Sequence, residues 1–171
     1  MSTDTIPALA LLCRSYCDTV DDSASATPRK FNDAMCTLLP RIYSALFAVA
    51  QNAAEGLPDD SGELLQSVDM DQYEEVRSAM ATLYGEYDTY LETTAEEQRY
   101  SDIPEAAAVS EGLADVYQLC GDIAGTLRDL EADTVVQDIA DRFNDYAAVL
   151  ISSLLRAVTI IRPALSDGEE Y

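Results

Sequence analysis

The sequence predicts an all-α protein: a single-domain helical bundle of about five main helices, with a kinked second helix and a long central last helix. Three observations carry that reading. Nearly every long segment repeats its apolar residues with helical period. No run alternates apolar and polar residues with strand period between hairpin-type turn signals. A chain of 171 residues, 48% of them hydrophobic, suits one well-filled core spanning 1–171, with no internal repeat and no inter-domain linker.

The first helix is expected from about Thr5 to Val20, because Leu9, Leu12, Cys13, Tyr16 and Val20 share one stripe while Arg14, Asp18 and Asp22 lie opposite. The cluster Asp21, Asp22, Ser23 and Ser25 ends it. In the second helix Thr27 reads as the N-cap and Pro28 as the first helical residue, where its missing N–H costs nothing. It is expected to reach about Ala54 and to stop at Gly56 and Pro58. Phe31, Met35, Leu38, Leu39, Ile42 and Leu46 form its apolar face, and Pro40 inside the run predicts a kink or a break. Tyr43 and Phe47 point away from Phe31, so the second half should meet a different neighbour.

Residues 55–69 read as an acidic loop. A third helix follows, capped by Asp69 or Asp71, with Tyr73, Val76, Met80, Leu83 and Tyr84 towards the core and Gly85 as its stop. Residues 86–109 read as a second acidic loop, long enough to suggest a functional segment. The fourth helix opens at Ser110 and runs to about Leu130 on the stripe Leu113, Val116, Tyr117, Cys120, Ala124 and Leu127. Asp133 or Thr134 should cap the last helix, which reaches about Arg162 before Pro163. After Asp145 only Arg156 carries charge as far as Ile161, and the wide apolar arc marks this helix as central packing material. Residues 166–171 read as a frayed acidic tail.

Charge narrows the function. Ten basic residues stand against 32 acidic ones, a formal net charge of −22. No nucleic-acid binding through phosphate contacts and no docking on an anionic membrane surface is expected. Histidine is absent, which removes the commonest near-neutral base and a common metal ligand. The strongest apolar stretch, Ala147–Ile161, contains Arg156 and is shorter than the ~20 residues that span a bilayer. Met1–Val20 has no basic leader and does not read as a signal peptide. Four cysteines without framework spacing read as reduced thiols, so the expected location is cytoplasmic.

The stretch Tyr100-Ser101-Asp102-Ile103-Pro104, then Ser110-Glu111-Gly112-Leu113-Ala114-Asp115-Val116-Tyr117-Gln118 and Asp122, resembles a family catalogued as domain of unknown function 5063. Tyr16-Cys17, Leu39-Pro40 with Tyr43, and Leu83-Tyr84-Gly85 extend the resemblance over nearly the whole chain. It implies a small all-α bacterial protein with no assigned activity. Members often carry aromatic and histidine residues in the last helix, where this chain has Asp145-Tyr146 and Arg156 to Thr159.

Candidate chemistry is sparse. Cys13 and Cys17 lie four apart and could place two thiolates on one metal, but two further ligands are missing, and small core residues explain both. Asp115 and Asp122 on the fourth helix could face Asp138 and Asp141 on the last, as in magnesium-dependent hydrolases of nucleotides; a solvated polar face is the plainer reading. No nucleophile elbow, phosphate-binding loop or dinucleotide fingerprint is present, and no catalytic residue and no cofactor is expected. The segment from Tyr84 to Glu105 is distinctive, because tyrosines alternate with carboxylates. Tyrosine supplies rigid contact area with a polar tip, and acids steer a basic partner. Tyr87, Tyr90, Tyr100 and Asp102 are therefore the candidate partner-binding residues of a non-catalytic interaction or accessory protein. The competing readings are the hydrolase using Asp115, Asp122, Asp138 and Asp141, and an acidic mimic of nucleic acid.

Overall fold

A computed structural model describes residues 5–53, 62–92, 105–129, 131 and 134–167. Among them lie α1 (Thr5–Asp21), α2 (Pro28–Ala53), α3 (Met70–Tyr84), strands β1 (Thr89–Glu92) and β2 (Glu105–Ala108), and α4 (Val109–Asp129). The last rod is α5 (Val136–Arg142), a π-helical turn (Phe143–Ala147) and α6 (Ala148–Ile161).

The bundle is all-α apart from the strand pair. Helix α4 packs on α1, α3 and α6, while α2 packs on α1, α5 and α6, so the two make the interior walls. One missing side-chain atom brings two helices together: a Cβ on Gly112 would stand 2.5 Å from Leu154 Cδ2, so glycine there lets α4 and α6 approach closely. Tyr16 is wholly enclosed, and its hydroxyl donates to the Leu113 carbonyl at 2.7 Å, tying α1 to α4. Asn32, also fully buried, accepts from the Tyr84 hydroxyl at 2.9 Å and donates to the Val158 carbonyl at 2.8 Å. That one amide joins α2, α3 and α6 and satisfies its own buried polarity.

Helix ends follow local chemistry. The Lys30 amide donates to Thr27 Oγ1 at 3.2 Å, and the Gln72 amide to Asp69 Oδ1 at 2.8 Å. Gly85 ends α3 with φ of 55°, a conformation open to glycine. At α5 no side chain caps: Val135 stands at the N-cap, and the Thr134 hydroxyl turns back to the Glu131 carbonyl. Asp133 lies outside the described residues.

Of the kink or break expected at Pro40, a break does not occur: helix α2 runs unbroken through Pro40, whose exposed ring leaves Leu39 and Ile42 fully buried on either side. Its second half does meet a new neighbour, since Tyr43 and Phe47 lie with ring centroids 5.3 and 6.2 Å from Phe143 of the π-helical turn. The described parts of the 86–109 segment are ordered structure: a 3₁₀ turn at Gly85–Tyr87 leads into β1, which pairs antiparallel with β2. The described start of the tail is docked, with the Arg29 amide donating to the Ser166 carbonyl at 3.1 Å. Two rods, 28–53 and 136–164, are long and apolar enough to cross a membrane by length and composition alone. Both carry a stripe buried in this bundle.

Candidate functional site

The hairpin is fastened at its base by Asp88. One carboxylate oxygen accepts from the Ser110 amide and the other from the Ser110 hydroxyl, each at 2.7 Å, while the Val109 amide donates to the Asp88 carbonyl at 2.7 Å. The first turn of α4 thus receives its cap from across the ribbon rather than from Ser110 itself. The register pairs Thr89 with Ala108, Tyr90 with Ala107, Leu91 with Ala106 and Glu92 with Glu105. Strand alternation then turns Tyr90 onto the core and leaves Leu91 54% exposed. Tyr87 also rests partly on the core, and the carboxylate of Glu86 beside it pushes its phenol up. Tyr84 belongs to the interior, where burial raises its phenol well above the usual range. Tyr100 and Asp102 lie outside the described residues.

The carboxylates weighed as a magnesium site do different work. Asp122 is 5% exposed, and its Oδ1 accepts from the amides of Ser67 and Val68 at 2.7 and 3.2 Å. Asp138 Oδ2 accepts from the Leu64 amide at 2.7 Å and from Arg142 Nε at 3.3 Å. Between them Thr126 Oγ1 accepts from the Leu65 amide at 2.8 Å. Residues 62–69 are therefore a strap whose peptide donors are met by side chains of α4 and α5. Glycines let it lie flat on α4: a Cβ on Gly121 would stand 2.5 Å from Val68 Cγ2, and one on Gly125 2.1 Å from Ser67 Oγ. Asp115 accepts from the Tyr73 hydroxyl at 2.6 Å, and its burial raises its carboxyl above the ordinary range. Asp141 is exposed and accepts from Gln137 at 2.8 Å. The expected solvated face fails at Asp122, because a buried extended segment needs acceptors that helices cannot spare. Among the described residues no group of three or more His, Cys, Asp or Glu is placed to hold a metal ion.

No activated thiol emerges either. Cys13 and Cys120 are fully buried. The Cys17 thiol donates to the Tyr117 carbonyl at 3.8 Å, and burial, with Cys13 and Asp21 nearby, pushes it up to about 12. It is protonated and poorly nucleophilic at neutral pH. The Tyr117 phenol is committed as well, donating to Asp21 at 2.8 Å and accepting from Gln72 at 3.0 Å.

Sequence reasoning missed the anchoring roles of Asp88, Asp122, Asp138 and Thr126. A weak signal for the strap existed in Gly121 and Gly125, four apart on a helix, which mark a close backbone approach.

Comparison with known proteins agrees with the fold. The crystal structure of protein BF1032 from Bacteroides fragilis superposes with a TM-score of 0.73 at 19% identity, covering 99% of this chain and 98% of that one. At that identity the likeness speaks for the fold. No curated protein matches the chain. The family model described as "Domain of unknown function (DUF5063)" matches residues 2–138, most of the sequence, and the chain belongs to that family.

Proposed function

We propose that this chain is a non-catalytic, cytoplasmic interaction protein that binds a basic protein partner through its acidic, tyrosine-bearing hairpin. The observation that carries the proposal is the fastening of the ribbon: Asp88 locks its base to α4 while Tyr87 and Tyr90 brace it on the core. A braced ribbon loses little conformational entropy on binding, and it presents Leu91 to solvent on a surface of net charge −22.

The test is retention of partners from source-cell lysate by the immobilised chain at low and moderate salt. Glu92→Lys, Glu96→Lys and Glu97→Lys together should abolish retention of a basic protein that the wild type holds. Asp88 is spared because its reversal would uncap α4. Retention that survives the triple reversal overturns the proposal.

A further inference from the structure

A shallow trough of about 420 Å³ lies beside the hairpin, bounded by three elements: the 3₁₀ turn after α1 (Ser23, Ala24), the start of α2 (Ala26, Pro28) and α3 (Ala79, Thr82, Leu83). Its lining is small and nearly free of charge. Pro28 and Leu83 also border a second depression, about 290 Å³, which continues past Gly85 to Glu86 and Tyr87. In the other direction Ala79 and Thr82 lead onto the exposed stripe of α3 that carries Asp71, Glu74 and Glu75. Along α3 the surface therefore runs from carboxylates, through an apolar floor, to a carboxylate and a tyrosine at the foot of the ribbon.

Cations are few there and largely occupied. Arg77 is held by Glu74 through bonds of 2.9 and 3.1 Å, and Arg29 lies 4.0 Å from Asp167. Lys30 is exposed on the first turn of α2.

We infer that this trough is a docking groove for a basic, amphipathic segment of a partner protein, whose apolar side chains enter between α2 and α3 while flanking Lys or Arg meet Asp71, Glu75 and Glu86. The inference rests on the hairpin reading and extends it, because the groove ends at Tyr87. Charge selects this occupant. A second copy of the chain would bring 22 further net negative charges to the same face, whereas a basic segment is drawn to it. The apolar floor then supplies what charge alone does not, a preference for pattern over composition.

The probe is a fluorescein-labelled synthetic peptide of leucines and lysines at helical spacing, set against a scrambled peptide of identical composition, with anisotropy read on the full chain at about 0.15 M salt. The patterned peptide should bind at least about tenfold more tightly than the scramble, as expected when apolar anchors contribute. Ala79→Lys/Thr82→Lys, both at exposed positions, should weaken it by about tenfold or more. Asp141→Asn/Asp145→Asn changes net charge equally, far from the trough, and should alter binding less than about twofold. Equal affinity for both peptides, or unchanged binding by the trough variant, overturns the inference. So does a dimer of the chain alone that the trough variant disperses. The triple hairpin reversal separates the two proposals: peptide binding lost there but kept in the trough variant sinks the groove and leaves the hairpin standing. Binding lost in the trough variant but kept in the hairpin reversal does the opposite.

Discussion

Asp122 shows what a single carboxylate can decide. Placed on the helix face that periodicity assigns to solvent, it satisfies two peptide donors of a segment with no strand or helix of its own. Asp122→Ala would strand those amides near a buried face, and the expected loss is about 1–3 kcal/mol of stability, read as a lower urea midpoint. A loss no larger than that of an exposed substitution such as Asp141→Ala would deny the anchoring role. Cys17 makes a second residue-scale case. Its thiol holds its proton to about 12 in the fold, whereas a free thiol releases it at about 8.5. An acid whose folded value is raised stabilises the fold while the unfolded form is still protonated, so stability should fall as pH rises from the unfolded value toward the folded one. Burial raises the phenols of Tyr16, Tyr84 and Tyr117 in the same direction. Unfolding midpoints should therefore drop between about pH 8 and pH 10.5, and Cys17→Ala should reduce that drop.

At the scale of elements, α4 is organised by what lies on it. Its first turn is capped by Asp88 from the ribbon, and Asp88→Ala should cost about 0.5–2 kcal/mol in chemical denaturation. Ser110→Ala should cost less, since the Ser110 amide keeps its acceptor. Further along, Gly125→Ala would force the strap off the helix, because the new Cβ would fall 2.1 Å from Ser67 Oγ. Faster amide exchange at Ser67 and Val68, with α1 and α2 unaffected, is the expected signature. These elements were half legible in the sequence. The caps Thr27 and Asp69 and the stop at Gly85 were visible, because each acts within its own few residues. The β1–β2 ribbon was not, because Glu105–Ala108 has the composition of a helix and pairs across a span that local pattern cannot bridge. Nor could periodicity show the π-helical turn at Phe143–Ala147, which lets Phe143 reach Tyr43 and Phe47.

The molecule as a whole carries −22 charges on a bundle held mainly by apolar contact. Self-repulsion works against the compact state, and screening acts over ~10 Å at 0.1 M salt. The melting temperature should rise when sodium chloride is taken from low concentration to about 0.5 M, and an unchanged value would mean that local pairings already balance the repulsion. The same charge underlies the proposal of a basic partner, with the ribbon and the neighbouring trough as the surfaces on which it can be tested. What the sequence determined unaided was the class of object: helices from apolar period, their local caps and stops, and a net charge of −22. All of these depend on near neighbours or on sums over the chain. The tertiary structure alone decided which carboxylates turn inward, since an aspartate is a surface group or a buried acceptor according to whether a distant segment brings it unpaired amides. That is why Asp122 and Asp138 hold a strap where periodicity alone would leave them in solvent.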